Sequence, residues 1–208
     1  MELFEAMRTQ RALRRLKPDP VPEELIWQIL EAATGAPSGG NLQPWNFVVI
    51  RDPGIKRKLH EFYLDGMAHV TRPSGSALAD TNDARMGRSA RYLAEHLAEA
   101  PVLILATVRL ADVASTTPPG ACIYPAVQNL MLAARSLGLG SVLTTLHRHR
   151  EKDVVALLGI PTGIETMALI PLGWPLDRHG PTRRKPAAEI AFWDRWGRTQ
   201  SNSSRTPG

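Results

Sequence analysis

The chain has a single cysteine, Cys122, among its 208 residues. One thiol closes no internal disulfide and cannot build a cysteine zinc site. Aromatic residues make up only 6% of the chain, and they form no recognisable stacking platform for nucleic acid. No apolar run approaches the roughly 20 residues that a membrane-spanning helix needs. The opening stretch, MELFEAMRTQRALRR, has no uninterrupted apolar core of the kind found in secretory signals. The expectation is a soluble, cytoplasmic protein without membrane or nucleic-acid partners.

What is present is ordinary for a globular domain: 43% hydrophobic and 22% charged residues, in a chain long enough to bury one proper core. The charge is unusual in its placement. The net charge is +5, and a surplus of that size lies in the last 31 residues alone, where Arg178, Arg183, Arg184, Lys185, Arg195, Arg198 and Arg205 face only Glu189 and Asp194. A second cluster, Arg8, Arg11, Arg14, Arg15 and Lys17, lies near the start. The clusters read as solvated surface charge or, more sharply, as a surface for nucleic acid or a grip on one phosphate-bearing ligand from both chain ends, and composition does not choose between these.

Apolar spacing predicts helices over 2–15, 23–34, 55–66, 84–99, 121–137 and 151–158, and strands over 45–50, 102–108, 141–145 and 166–173. Prolines at 18, 20 and 22 end the first helix, and Pro22 opens the second. Residues 69–83 read as a lid loop, 112–120 as another loop, and 201–208 as a disordered tail after one domain spanning 1–200. Helices followed by alternating strands and helices imply an α+β fold around a mixed sheet.

Several segments offer chemistry. In Pro37-Ser38-Gly39-Gly40-Asn41-Leu42-Gln43-Pro44, the glycines admit close approach of a flat ligand, and the amides read alternating N–H and C=O groups. The same residues also suit an ordinary helix–strand loop. On a helix, Arg11 shares a face with Arg14 and Arg15, a pair of guanidinium groups suited to a phosphate. Gly138-Leu139-Gly140 follows a helix rather than a strand and lacks a full dinucleotide fingerprint. His147, His149 and Glu151 are too few to argue for a metal site, no G-x-S-x-G elbow supports a hydrolase, and Cys122 sits in an apolar helix as core. Trp193 and Trp196 suggest a C-terminal segment that docks on a surface, including that of a second chain.

In combination these segments resemble the FMN-dependent nitroreductase family over roughly residues 3–187. The resemblance rests on Arg11…Arg14-Arg15-Leu16-Lys17-Pro18, on Ile29-Leu30-Glu31-Ala32-Ala33…Ala36-Pro37-Ser38…Asn41…Gln43-Pro44-Trp45, on Asn129 to Gly140, and on Pro171-Leu172-Gly173 with Arg184-Lys185-Pro186. It implies a three-layer α/β/α sandwich with a mixed, mainly antiparallel sheet, built as an intertwined homodimer with FMN at the interface. By position, Gln10, Arg11 and Ala12 with Arg184 would hold the phosphate, and Arg14 would lie near the pyrimidine ring. Pro37, Ser38, Gly39 and Asn41 would come from the partner chain. The backbone of Leu143, Thr144, Thr145 and Leu146 would face N5 and O4 of the flavin. Gln10 and Ala12 depart from the Arg and Ser common in the family, and Thr145 from an acidic residue found in part of it.

The implied activity is a ping-pong transfer of hydride from NAD(P)H, through FMN, to a small electron-poor acceptor such as a nitroaromatic or quinone. No metal and no acid–base residue is required. The alternatives are a flavin protein with another role (sensor, storage, dehalogenation or fragmentation) and a basic nucleic-acid-binding module.

Overall fold

A computed structural model describes residues 1–69, 81–114 and 117–199. Residues 70–80 of the expected lid, 115–116 of the next loop and the expected tail at 201–208 lie outside the described residues. Four strands, β1 (Trp45–Ile50), β2 (Val102–Arg109), β3 (Gly140–Ser141) and β4 (Ile164–Gly173), form one sheet in the order β1-β2-β4-β3. Every strand pairing is antiparallel. Among the described residues, the parallel part of the expected mixture is confined to an isolated bridge between Ala12 and Ser141.

The central strands explain the layering. Residues 102–108 of β2 are all buried, as a strand covered on both faces must be. Val102, Ile104, Ala106 and Val108 point to one face, where they join Ala168, Ile170 and Leu172 of β4. Leu103 and Leu105 point to the other with Leu169. The first face is covered by α2 (Glu23–Thr34) and α5 (Pro119–Ser136). The second is covered by α3 (Pro53–Ala68), α4 (Thr81–His96) and α6 (Glu151–Leu158). The result is an α/β/α sandwich.

Local chemistry sets the helix ends. Asp52 caps α3 by accepting from the Ile55 N–H at 2.8 Å, with Pro53 in the first turn. Gly159, at φ 61°, closes α6 in the left-handed conformation. At Gly66 of α3, an added Cβ would collide with the Leu146 carbonyl oxygen. The missing side chain therefore lets α3 lie directly on the 3-10 turn Leu146–Arg150. No helix of the described residues is long and apolar enough to cross a membrane.

The first helix, α1, is shorter than its periodicity predicts, running only from Leu3 to Thr9. Gln10 leaves the helix in an extended conformation. The chain beyond it takes its hydrogen bonds from distant segments: Leu13 N–H donates to the Ser141 carbonyl at 3.1 Å and Lys17 N–H to the Trp174 carbonyl at 2.7 Å. These tertiary bonds, with Leu13 and Leu16 buried, outweigh the local preference. Arg11, Arg14 and Arg15 are thus not on one helix face, and the spacing argument for them fails.

Candidate functional site

The extended N-terminal segment is what joins the two ends of the chain. Leu176 N–H donates to the Arg15 carbonyl and Thr182 N–H to the Arg8 carbonyl, both at 3.0 Å. Leu16 bridges Pro175 in antiparallel fashion. The Arg11 guanidinium lies 3.8 Å from the position a Cβ on Gly180 would take. The two basic clusters are therefore neighbours in space, although Arg184 itself donates only to the Arg183 carbonyl, at 2.9 Å, and is exposed.

Two adjoining clefts open along this segment. The larger, about 750 Å³, is walled by Arg14, by Tyr63 and Met67 of α3, by Met86, Gly87, Arg88, Ala90 and Arg91 of α4, and by Val142, Leu143, Thr144 and Leu146. The second, about 560 Å³, is walled by residues 11–15, by Arg88, Ser89 and Tyr92 of α4, and by Asp177 and Arg178. Arg14 and Arg88 belong to both. These volumes fall in the range of small-molecule sites, roughly 300–1,000 Å³.

The floor of the larger cleft is an unfinished sheet edge. Thr144 exchanges both backbone hydrogen bonds with Leu169 of β4, at 3.0 and 2.8 Å. In a strand the neighbours of such a residue turn their backbone groups the other way. Ser141 does so and is taken by Leu13. Leu143 and Thr145 follow on the same side, past the point where the N-terminal segment has left the edge. The Thr145 carbonyl closes a turn with Arg148 N–H at 3.0 Å, and no backbone partner for the N–H groups of Leu143 and Thr145 occurs among the described residues.

The side chains beside this edge are polar and partly desolvated. The Tyr63 and Thr144 hydroxyls are 2.7 Å apart and share a hydrogen bond. Burial raises the Tyr63 phenol, opposed by the Thr144 bond and the Arg14 charge. Burial lowers the Arg14 guanidinium, offset in part by Tyr63. Arg14 donates to the Ser89 hydroxyl at 3.4 Å and has no carboxylate partner among the described residues. Arg15 points elsewhere: it meets Asp177 at 3.5 Å and lies 5.3 Å over the Tyr92 ring.

Other predicted residues lie apart. Gln10 donates to the Met131 sulfur at 3.6 Å and lines neither cleft. Pro37, Ser38, Gly39 and Asn41 belong to a loop leading into β1, at the opposite edge of the sheet. Trp45 is level with Val108 and Glu165, whereas Thr144 at the cleft floor is level with Leu169. At about 4.8 Å per strand and about 3.3 Å per residue, the loop lies about 20 Å from the cleft floor within one chain. The loop is nonetheless held in place by its own side chains. Asn41 and Gln43 hold positive φ, 55° and 48°, conformations uncommon outside glycine. Ser38 Oγ accepts from Gln43 N–H at 3.0 Å and Gln43 Nε2 donates to Asn41 Oδ1 at 3.1 Å, which secures them.

Among the described residues, His147, His149 and Glu151 do not come together as one set of metal ligands. His147 is fully buried and, among the described residues, neither ring nitrogen has a partner. Burial pushes it down to about 4, with the Glu151 charge opposing and the Arg148 charge assisting. Glu151 instead accepts from the backbone N–H and hydroxyl of Thr166, at 3.0 and 2.7 Å. His149 stands with Asp65 and His69, but its ring stacks on His69 at 3.9 Å with planes 24° apart. Rings so nearly parallel cannot both aim a lone pair at one ion. Arg150 also holds the Asp65 carboxylate at 3.1 Å.

Sequence reasoning missed Tyr63, Arg88, Ser89 and Arg91. The α4 arginines look like a solvated helix face, and Tyr63 looks like core; only the packing of α3 and α4 beside residues 142–146 brings them to one cleft.

Comparison with known proteins supplies the family. The sequence matches the family model described as Nitroreductase family over residues 7–174. It is 35% identical over 196 residues to the NADH dehydrogenase of Thermus thermophilus, covering 88% of this chain and 92% of that one. It is 30% identical over 182 residues to iodotyrosine deiodinase 1 of Rattus norvegicus, covering 84% of this chain and 62% of the deiodinase. Among solved structures, an oxidised iodotyrosine deiodinase bound to FMN and 3-iodo-L-tyrosine superposes with a TM-score of 0.70 at 25% identity, covering 89% of this chain and 96% of that one. With most of its length matched and an open sheet edge beside a half-buried arginine, the chain belongs to the nitroreductase family of oxidoreductases.

Proposed function

We propose that the protein is an FMN-dependent oxidoreductase that uses NAD(P)H to reduce small electron-poor acceptors, and that it works as a homodimer. The observation that carries this reading is the open edge at Leu143 and Thr145 beside Arg14. A flat heterocycle that presents alternating N–H and C=O groups can complete such an edge, and the cleft is large enough to take it. FMN supplies reversible two-electron chemistry between NAD(P)H and the acceptor. The chain supplies position and electrostatics. Leu143 and Thr145 offer backbone groups to the ring edge, and Arg14 places a desolvated cation beside it, favouring negative charge there. Arg11, with Arg184 from the neighbouring C-terminal segment, is the phosphate grip in this reading.

Two features support the dimer. The loop with Pro37, Ser38, Gly39 and Asn41 cannot reach the cleft of its own chain, so its share in the site requires a second copy. Leu3, Phe4 and Met7 of α1 are 59%, 75% and 48% exposed, an apolar face left uncovered by the described residues of one chain.

Titration of the purified chain with FMN tests the reading. A yellow, stoichiometric complex that bleaches with NAD(P)H and recovers with a nitroaromatic or quinone is expected; absence of FMN uptake refutes it. The deiodinase relatives favour a second reading, reductive dehalogenation, for which iodide release from 3-iodo-L-tyrosine by the reduced complex is the distinguishing result.

A further inference from the structure

Among the described residues, the larger cleft is lined by three arginines, Arg14, Arg88 and Arg91, and no carboxylate. The adjoining cleft adds Arg11, Arg15 and Arg178 against one carboxylate, Asp177, which already meets Arg15. This is more positive charge than the proposed cofactor uses. Its phosphate is assigned to Arg11 and Arg184, and its ring to Arg14. Arg88 and Arg91 of α4 remain, three residues apart and so on one helix face, and both border the same cleft as Tyr63 and Thr144. The rest of that wall is apolar: Met67, Met86, Val142, Leu143 and Leu146. A cavity with an apolar wall and two guanidinium groups from one helix face on its border has the chemistry of an aromatic anion site, because guanidinium forks recognise carboxylate, sulfonate and phosphate oxygens.

We propose that the electron acceptor of this protein is an aromatic anion whose acidic group is held by Arg88 and Arg91. This rests on the FMN-dependent reading above and specifies its substrate class. Neutral acceptors still reach the ring, but without the anchor that holds the acceptor beside the open edge. The same arginines would serve equally to hold an extra phosphate on the reductant, so the test separates the two sources.

The test uses the FMN-loaded protein and a non-reducible pair of equal shape, 4-methylbenzoate and 4-methylbenzamide, with dissociation constants read from the flavin absorbance band and by calorimetry. The benzoate should bind at least about tenfold more tightly than the amide, the scale of a charge-assisted hydrogen bond, and salt should erode that ratio. In the double variant Arg88→Gln with Arg91→Gln the ratio should fall to near one, whereas Arg88→Lys with Arg91→Lys should keep most of it. Equal binding of the two probes by protein that still reduces a neutral nitroaromatic overturns the anion assignment and leaves the oxidoreductase reading intact. A double Gln variant that loses only its preference for NADPH over NADH places the anion on the reductant and overturns it likewise. A chain that takes up no FMN removes both.

Discussion

His147 gives a pH dependence whose size can be worked from its surroundings. Its imidazole, in the turn Leu146–Arg150, is fully buried, with no partner for either nitrogen among the described residues, and desolvation pushes it from 6.5 down to about 4. Between those two values the unfolded chain binds a proton at this side chain and the folded chain does not. Stability therefore rises with pH through that window, and the deficit is complete below it. The loss is about 2 kcal/mol at pH 5 and about 3 kcal/mol below pH 4. In His147→Leu, an apolar side chain of similar size removes the titration. Urea unfolding of both proteins at about pH 8 and about pH 5 should show the variant gaining about 2 kcal/mol over wild type on acidification. A difference between the two proteins that stays constant with pH would refute the assignment of a neutral, desolvated imidazole.

Three further outcomes follow from the packing. Gly66→Ala drives a Cβ into the Leu146 carbonyl and should lower stability by about 1–3 kcal/mol, read as a drop in Tm by calorimetry. Phe4→Glu with Met7→Glu charges the exposed face of α1 and should shift the protein toward monomer in sedimentation velocity, with FMN lost in parallel. Arg11→Ala with Arg184→Ala should weaken FMN binding at least about tenfold by fluorescence titration; unchanged affinity would remove both residues from the phosphate grip.

Much of the scaffold is legible in the residues because its signals are local. The runs at 45–50, 102–108 and 166–173 are apolar and β-branched, and each becomes a strand within two residues of the expected bounds. Pro22 and Gly159 mark helix ends where the backbone requires them. The stretch from Gln10 to Leu16 misleads for the opposite reason. Its Leu13 and Leu16 have helical spacing, but its hydrogen bonds come from Ser141 and Trp174, and no local pattern encodes partners more than a hundred positions away. The cleft is illegible on the same ground: Tyr63, Arg88 and Arg91 come from elements whose meeting is decided by packing on the sheet. Pro37, Ser38, Gly39 and Asn41, by contrast, announce themselves by composition, but their composition does not say which edge of which chain they face.

Joint enclosure of FMN by two copies of this chain is open to native mass spectrometry of protein purified with added FMN. A dimer carrying two FMN molecules is expected, separating into flavin-free monomers when Arg11 and Arg184 are replaced together with Phe4 and Met7. A monomer that retains FMN, or a dimer that never acquires it, would refute joint enclosure.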